Sequence, residues 1–465
     1  MLRTDDVRTP GFKLFLTIVV GLVLTIPLFS IWLLVYDRQT QQEEATSSIT
    51  AGWGGPQVMA GPVLVIPYRA NATETVVQNG QSVTRTNQVT KELTISPEAV
   101  ELSTDLRPDV RKRSIYEAVV YNAAVSGKAR FALPPDLARS GVDPRQMDLS
   151  RAELRFGLSD PRGLGANPRV AAAGRPLRML PGGGSGGGRG FFAWLDASGI
   201  STQPLVVDFA YDFRGNASLS LAPQAGDTRW IVKSSWSSPS FGGDFLPSAR
   251  SVGASGFQAT YRVGNLALGR SLISTGDPGV SNLAEKVPAL APGTSVRPAD
   301  GYTAQAASIS LIQPVDLYAQ VNRATKYGFL FIGFTFLALL MFDVIGGVSV
   351  SAVEHLLMGA ALILFFVLLL AFAEVIGFTP AYIVASAAIA GLNTAYSAAV
   401  LASWRRASFI GGLLVGLYAV LYILLSLEAY SLLIGGLLLF AALAGVMYAT
   451  RRIDWGARST APAAA

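Results

Sequence analysis

The chain has no cysteine and one histidine, His355. Without a thiol there is no disulfide, no thiolate nucleophile and no cysteine metal site. Neither a catalytic triad nor a two-histidine metal site is expected around a lone imidazole. Glu354-His355 falls at the end of an apolar run and reads as a solvated interfacial pair. Charge is scarce as well: 15% of residues are Asp, Glu, Lys or Arg, against about 25% in an average soluble domain. The formal net charge of +6 does not point to nucleic acid, because the basic residues collect at the ends of apolar runs, where membrane topology explains them. No metal and no cofactor is expected.

What the chain has instead is hydrocarbon. From Tyr327 to Thr450 it is a nearly unbroken series of apolar runs, and Leu14 to Tyr36 is another. A hydrocarbon core of about 30 Å takes about 20 helical residues to cross. Five C-terminal spans are expected at about 327–345, 355–376, 380–402, 408–427 and 430–450, with Thr379 as N-cap and Pro380 at the first position of the third of these. The N-terminal run, 14–36, is longer than a signal-peptide core and ends in Ile31-Trp32-Leu33-Leu34-Val35-Tyr36, bulky where a signal peptidase needs small residues. It is therefore expected to remain as a first span, kinked at Pro27, with a helical extension into water over 37–50. Residues 1–13 and 451–465 are then cytoplasmic. Loops 346–354 and 403–407 and the tail from 451 hold Arg405, Arg406, Arg451, Arg452 and Arg458, whereas 377–379 and 428–429 hold no Lys or Arg. That asymmetry puts both termini in the cytoplasm and residues 37–326 on the periplasmic side.

The exported segment reads as β-rich. Val63-Leu64-Val65-Ile66 is a short buried strand closed by Pro67. Val125, Gly127, Ala129 and Phe131 alternate with polar residues, as do Val207, Phe209, Tyr211 and Phe213, and again Phe257, Ala259, Tyr261 and Val263. A period of two with turn residues between the runs predicts antiparallel sheets with one solvated face. Gly215-Asn216 is a hairpin signal leading to Leu219 and Leu221. A glycine-rich flexible loop, 181–190, is where two subdomains would divide. The fold class is thus α+β: one N-terminal membrane helix, a large β-rich periplasmic domain and a C-terminal bundle of five membrane helices.

With these parts in place the chain resembles the CreD family, inner-membrane proteins of Gram-negative bacteria linked to cell-envelope integrity. The resemblance spans nearly the whole length. It is carried by Ile26-Pro27-Leu28, Trp53-Gly54-Gly55-Pro56-Gln57, Gly61-Pro62-Val63-Leu64-Val65-Ile66-Pro67-Tyr68, Pro239-Ser240-Phe241-Gly242-Gly243-Asp244-Phe245-Leu246-Pro247 and Gly256-Phe257-Gln258-Ala259. Later blocks are Pro314-Val315-Asp316-Leu317-Tyr318, Arg323-Ala324-Thr325-Lys326-Tyr327-Gly328-Phe329-Leu330-Phe331 and Thr450-Arg451-Arg452-Ile453-Asp454-Trp455. The chain departs from the family pattern where histidines are expected: it has Trp236-Ser237-Ser238, Ala373-Glu374-Val375 and Ser351-Ala352. The resemblance implies a place and a phenotype class, not a reaction.

Two candidate sites follow from the residues. Trp236, Phe241, Asp244 and Phe245 lie in a glycine-containing loop and could form a sugar-, peptide- or partner-binding surface; the simpler reading is a turn covering a strand edge. Arg323, Lys326, Glu374 and Glu428 should collect at the outer rim and seat the β domain on the helices. Asp343 sits near the inner end of the second span. A non-enzymatic protein of the envelope, acting through its periplasmic domain with envelope proteins or lipids as partners, is the expected function, and a homo-oligomer is compatible with it. One alternative is a transporter or channel-like protein, supported by Gly391-Leu392-Asn393 and Tyr396 in the fourth span. The other is a periplasmic-facing envelope enzyme, for which no acid/base pair stands out beside a nucleophile.

Overall fold

The computed structural model describes residues 10–451 except 79–80, 115, 136, 185–188, 276–304, 312–316, 345–349 and 427–430. Two compact units make up the chain: Met1–Glu43 with Val315–Ala465, and Glu44–Pro314.

The first unit is helical. Helix α1 (Pro10–Thr50) is 41 residues long and runs through Pro27 without a break; its last residues belong to the second unit. Its apolar run has one buried stripe, Val20, Leu24, Ile31 and Val35, and exposes Phe15, Leu22, Ile26 and Phe29. A stripe at helical spacing with bulky apolar residues on the other faces is what a peripheral span needs: one side meets protein and the rest meets lipid. After the short α2 (Asn265–Leu268) of the second unit, helices α3 (Leu317–Lys326), α4 (Gly328–Val344), α5 (Ala352–Ile376), α6 (Phe378–Val400), α7 (Trp404–Ser426) and α8 (Ser431–Thr450) follow. The stretches Phe12–Thr50, Leu317–Asp343, Ala352–Ile376, Phe378–Val400 and Trp404–Leu425 are each long and apolar enough to cross a bilayer. Helix α3 is amphipathic and buries Tyr318, Val321, Ala324 and Thr325, so the helical unit begins at Val315, upstream of the first apolar residue of α4.

Helix α5 starts at a capping box in which the Ser351 side chain accepts from Glu354 N–H and the Glu354 carboxylate accepts from Ser351 N–H, which satisfies two otherwise orphaned donors. The junction to α6 differs from the Thr379-Pro380 start expected from sequence. Gly377 alone ends α5 and begins α6, with φ of 81°. A residue in that region is tolerated with little strain only as glycine, and Pro380 is accommodated inside the first turn, where its missing N–H would have had no helical acceptor.

The second unit contains two sheets. The 9-stranded sheet runs β13 (Pro239–Gly243), β17 (Ala307–Leu311), β11 (Ser218–Ala222), β1 (Gln57–Gln78), β5 (Ala152–Leu158), β9 (Gly190–Leu195), β8 (Leu180–Pro181), and β2 (Gln81–Ile95) joins β1 to β16 (Ile273–Ser274). The 8-stranded sheet runs β14 (Ala249–Gly253), β15 (Gly256–Gly264), β12 (Asp227–Ser234), β3 (Ala99–Arg113), β4 (Tyr116–Phe131), β10 (Leu205–Asn216), β6 (Arg169–Ala172), β7 (Arg175–Pro176). Period-two alternation holds in β4, β10 and β15, whose apolar faces are buried and whose polar faces are open. One core cluster draws on both sheets, with Phe156, Phe191, Phe209, Tyr211, Phe213 and Trp230 among its largest side chains. Burying each such ring contributes about 1.5–3 kcal/mol.

Three local expectations are corrected. Gly215-Asn216 makes no hairpin: β10 ends at Asn216, Ala217 takes a φ of 54°, and β11 pairs with β1 and β17 in the other sheet. The chain turns a corner between sheets, and Gly215 is required there because a Cβ would meet the Tyr121 hydroxyl at 2.5 Å. Both faces of β11 are therefore buried, and Ser220 and Ser308 hydroxyls pair at 2.7 Å instead of facing water. Pro67 does not close the first strand, since β1 continues to Gln78. The β1–β5 pairing has already ended at Val65, so proline occupies an edge position where no ladder donor is needed. Two pairs, β1–β11 and β12–β3, are parallel.

Candidate functional site

Of the four residues singled out in the 236–247 segment, three are packing residues. Trp236, Phe241 and Phe245 are partly buried against the core. The Trp236 indole donates to Ser238 O at 3.1 Å. The Phe241 ring stands edge-on to Phe257 at 5.7 Å, and the Arg250 guanidinium lies 5.7 Å from its centroid. Asp244 is occupied by backbone: its carboxylate accepts from Ala306 N–H at 2.9 Å and its own N–H donates to Ala306 O at 2.8 Å. That reciprocal pair extends the β13–β17 ladder past its last strand residue. Beside these residues, on β14 and β15, lies an open groove of about 500 Å³ lined by Ser234, Arg250, Ser251, Ser255, Gln258 and Thr260. Its hydroxyls, amide and guanidinium suit a polar ligand rich in hydrogen-bonding groups.

In the helical unit the structure pairs acids with bases that were not selected from sequence. Lys13 Nζ meets Asp343 Oδ1 at 2.7 Å, with the Asp343 side chain 4% exposed. Glu374 meets the Arg38 guanidinium at 3.9 Å and accepts from the Tyr318 hydroxyl at 3.1 Å. Arg323 and Lys326 lie on α3, Lys326 with its side chain exposed; Glu428 lies outside the described residues. Between Lys13 and Arg38, α1 rises about 37 Å at 1.5 Å per residue, close to a hydrocarbon core plus part of each interface. The signal was legible in principle: a basic residue flanks each end of the N-terminal apolar run, and an acid stands at a matching end of two other runs.

His355 is not the solvated residue expected. It is 4% exposed, its Nδ1 lies 3.0 Å from Ser351 O, and its ring stands edge-on to Phe336 at 5.3 Å. The i−4 carbonyl and the aromatic wall take the imidazole into the bundle, while Glu354 turns back to the helix cap. Among the described residues no group of three or more His, Cys, Asp or Glu could hold a metal ion.

A buried node of the second unit explains the Trp53-to-Gln57 block. Gln57 is fully buried. Its amide donates to Asp160 O at 3.1 Å and Arg214 O at 2.9 Å, and its carbonyl accepts from Ser159 Oγ and Asp160 N–H at 3.2 Å. The guanidinium groups of Arg111 and Arg214 lie over the Trp53 ring, 4.7 and 5.1 Å from its centroid, and the Trp53 indole donates to Tyr121 O. Asp160 accepts from Gly55 N–H and Arg162. The Arg162 guanidinium holds the Asp160 carboxyl below its ordinary range, against a partial burial that acts in the opposite direction. Burial raises the Tyr121 phenol, whose hydroxyl donates to Ser218 O.

Comparison with known proteins completes the picture. The family model described as inner membrane protein CreD matches residues 9–456. The inner membrane protein CreD of Escherichia coli (strain K12) is 31% identical over 442 residues, covering 94% of this chain and 92% of that protein. Among solved structures, an M1 zinc metallopeptidase from Deinococcus radiodurans aligns over 36% of this chain and 38% of its own, at 8% identity and a TM-score of 0.20, a value that carries no argument about fold or activity.

Proposed function

Since the chain belongs to the CreD family of inner membrane proteins, we propose that it is a non-enzymatic multi-pass protein that contributes to cell-envelope integrity. In this reading the β-rich unit is periplasmic, both termini are cytoplasmic, and the groove beside Arg250 is where an envelope partner or a glycan is met. The observation that carries the reading is the double fastening of α1. Lys13–Asp343 at one end and Arg38–Glu374 with Tyr318 at the other make the N-terminal span part of the helical unit. A base held at both depths suits a fixed carrier. The arginines at 405, 406, 451 and 452 support the orientation.

The absence of cysteine makes the test direct. Single cysteines replace Ser126, exposed on β4, or Ser459 of the C-terminal tail. Each variant is labelled in intact cells with a membrane-impermeant maleimide after outer-membrane permeabilisation. Ser126→Cys is expected to label and Ser459→Cys to label only after lysis; the reverse removes the orientation. In a strain lacking the gene, Arg250→Glu is expected to leave envelope leakage uncorrected while the protein accumulates normally. Full correction by that variant removes the groove from the reading.

One observation favours a transporter instead. Asn393 of α6 is 1% exposed and its amide nitrogen has no partner among the described residues; Thr335 of α4 is fully buried with its hydroxyl likewise unpartnered. Polar groups at membrane depth are costly and often functional. Asn393→Leu separates the two readings: a carrier keeps its envelope phenotype, and a transport pathway loses it.

A further inference from the structure

The three strands at one edge of the 8-stranded sheet, β14, β15 and β12, are unequally charged. They carry four basic residues, Arg229, Lys233, Arg250 and Arg262, and one acidic residue, Asp227. Arg229 and Arg262 are Cα partners across the β12–β15 ladder, so their side chains leave the same face. Lys233 is four residues from Arg229 and returns to that face, about 14 Å along the strand at 3.4 Å per residue. All three are exposed, and among the described residues none of them has an ion-pair partner. Glu101 of β3 is in register with Arg229 without pairing to it, and Asp105, in register with Lys233, is held by Arg107 at 2.7 Å. Like charges directly opposite on neighbouring strands are destabilising, so Arg229 and Arg262 keep an uncompensated repulsion on an open surface. An anion between them removes it.

The other residues of this face decide the kind of anion. The ladders bring Ile231 beside Thr260 and Ala249, and Lys233 beside Gln258 and Ser251. Thr260, Gln258 and Ser251 also line the groove beside Arg250. No residue of the three strands that shares the face of Arg229 is a large exposed hydrophobe. Val252, 49% exposed, is paired with the buried Phe257 and so lies on the other face. A protein partner is anchored by buried aromatic or aliphatic side chains, and an interfacial lipid contact by apolar area; this face offers neither. It offers hydroxyl, amide and cation. We propose that this edge binds an anionic glycan, with acidic groups between Arg229 and Arg262 and at Lys233 and with sugar hydroxyls on Thr260, Gln258 and Ser251. The proposal rests on the groove beside Arg250 being a contact site and adds the chemistry of what is met there.

The test is titration of the full-length protein in neutral detergent with four polymers: polygalacturonate, phosphorylated dextran, neutral dextran and poly-glutamate. One or both acidic glycans should bind, more weakly as salt is raised, and the one that binds identifies carboxylate or phosphate as the acidic group. Neutral dextran should not bind, and poly-glutamate should bind less well than the glycan. Arg229→Gln with Arg262→Gln is expected to weaken glycan binding about tenfold, since hydrogen bonds to charged groups are lost, and to melt no lower than wild type, since the repulsion is relieved. Arg169→Gln, on β6 near the opposite edge of the sheet, should bind like wild type. If the double variant melts lower, Lys233→Gln decides, because it removes a cation with no like charge opposite. Wild-type affinity in these variants overturns the proposal, as does equal binding of neutral dextran or of poly-glutamate. The leakage test of Arg250→Glu is separate. Uncorrected leakage without glycan binding keeps the groove and overturns the anion, whereas full correction with glycan binding removes the groove from the function and keeps the anion site.

Discussion

Lys13 and Asp343 stand 330 positions apart in the chain and meet at 2.7 Å. The contact joins α1 to α4, and the Asp343 side chain is almost fully withdrawn from solvent. A buried acid with its base in place is tolerable, but one deprived of its base leaves a charge in low dielectric. Lys13→Ala is expected to cost about 3 kcal/mol and to lower the melting temperature of the purified protein in detergent. Lys13→Asp with Asp343→Lys should recover part of the loss. No recovery in the exchanged pair would show that the contact contributes nothing.

At the other end of α1 the contributions rank differently. Arg38 is 39% exposed at its side chain and 3.9 Å from Glu374, a pairing worth about 0–1 kcal/mol. The Tyr318 hydroxyl makes a shorter bond to the same carboxylate, and hydrogen bonds to charged groups contribute about 1.5–3 kcal/mol. Tyr318→Phe should therefore destabilise the helical unit more than Arg38→Gln, as read by melting temperature. The opposite order would reassign the anchor to the ion pair.

Helix α1 also relies on shape. A Cβ on Gly359 would overlap the end of Leu24 and approach the Phe336 ring at 2.9 Å. Overpacking of this kind costs about 1–3 kcal/mol. Gly359→Ala should lower the melting temperature, and Leu24→Ala in the same chain should remove the overlap and restore part of it. Additive losses in the double variant would mean the two residues do not share the space.

Gln57 should be the most sensitive polar position of the β-rich unit. Gln57→Leu strips the side-chain partner from the Arg214 carbonyl and Asp160 N–H, whereas Asp160 O keeps Gly163 N–H and Ser159 Oγ keeps Pro56 O, at a cost of about 2 kcal/mol when buried groups lose about 1 kcal/mol each. Limited proteolysis of the full-length chain should then cut within 57–264 at concentrations that leave wild type intact. Equal resistance would move the weight of the node elsewhere.

The pH dependence of the same node has a definite sign. The folded-state carboxyl of Asp160 lies below its ordinary value, so the unfolded chain binds the extra proton. The stabilisation is complete above the ordinary aspartate value of about 3.9 and is lost as pH falls through that value toward the folded one. Asp160→Asn should melt below wild type at neutral pH, and the gap should narrow as pH drops below about 4. A gap independent of pH would separate the effect from the carboxylate charge.

Legibility in the sequence divides along range. Apolar run length located α1 and α4 to α7 because crossing a bilayer is a requirement on consecutive residues. The alternation in β4, β10 and β15 was equally local, since a strand's side chains change face at every residue. The corner at Ala217, the paths through Pro67 and Gly377, and the burial of His355 were decided by neighbours distant in the chain. So were the partners of Asp343 and Glu374: only helix packing made Lys13 and Arg38 their counter-ions. Hydrophobic and hydrogen-bonding patterns act along the chain and can be read from it, whereas a charge finds its mate, and a groove its walls, through contacts between elements whose order in space composition does not encode.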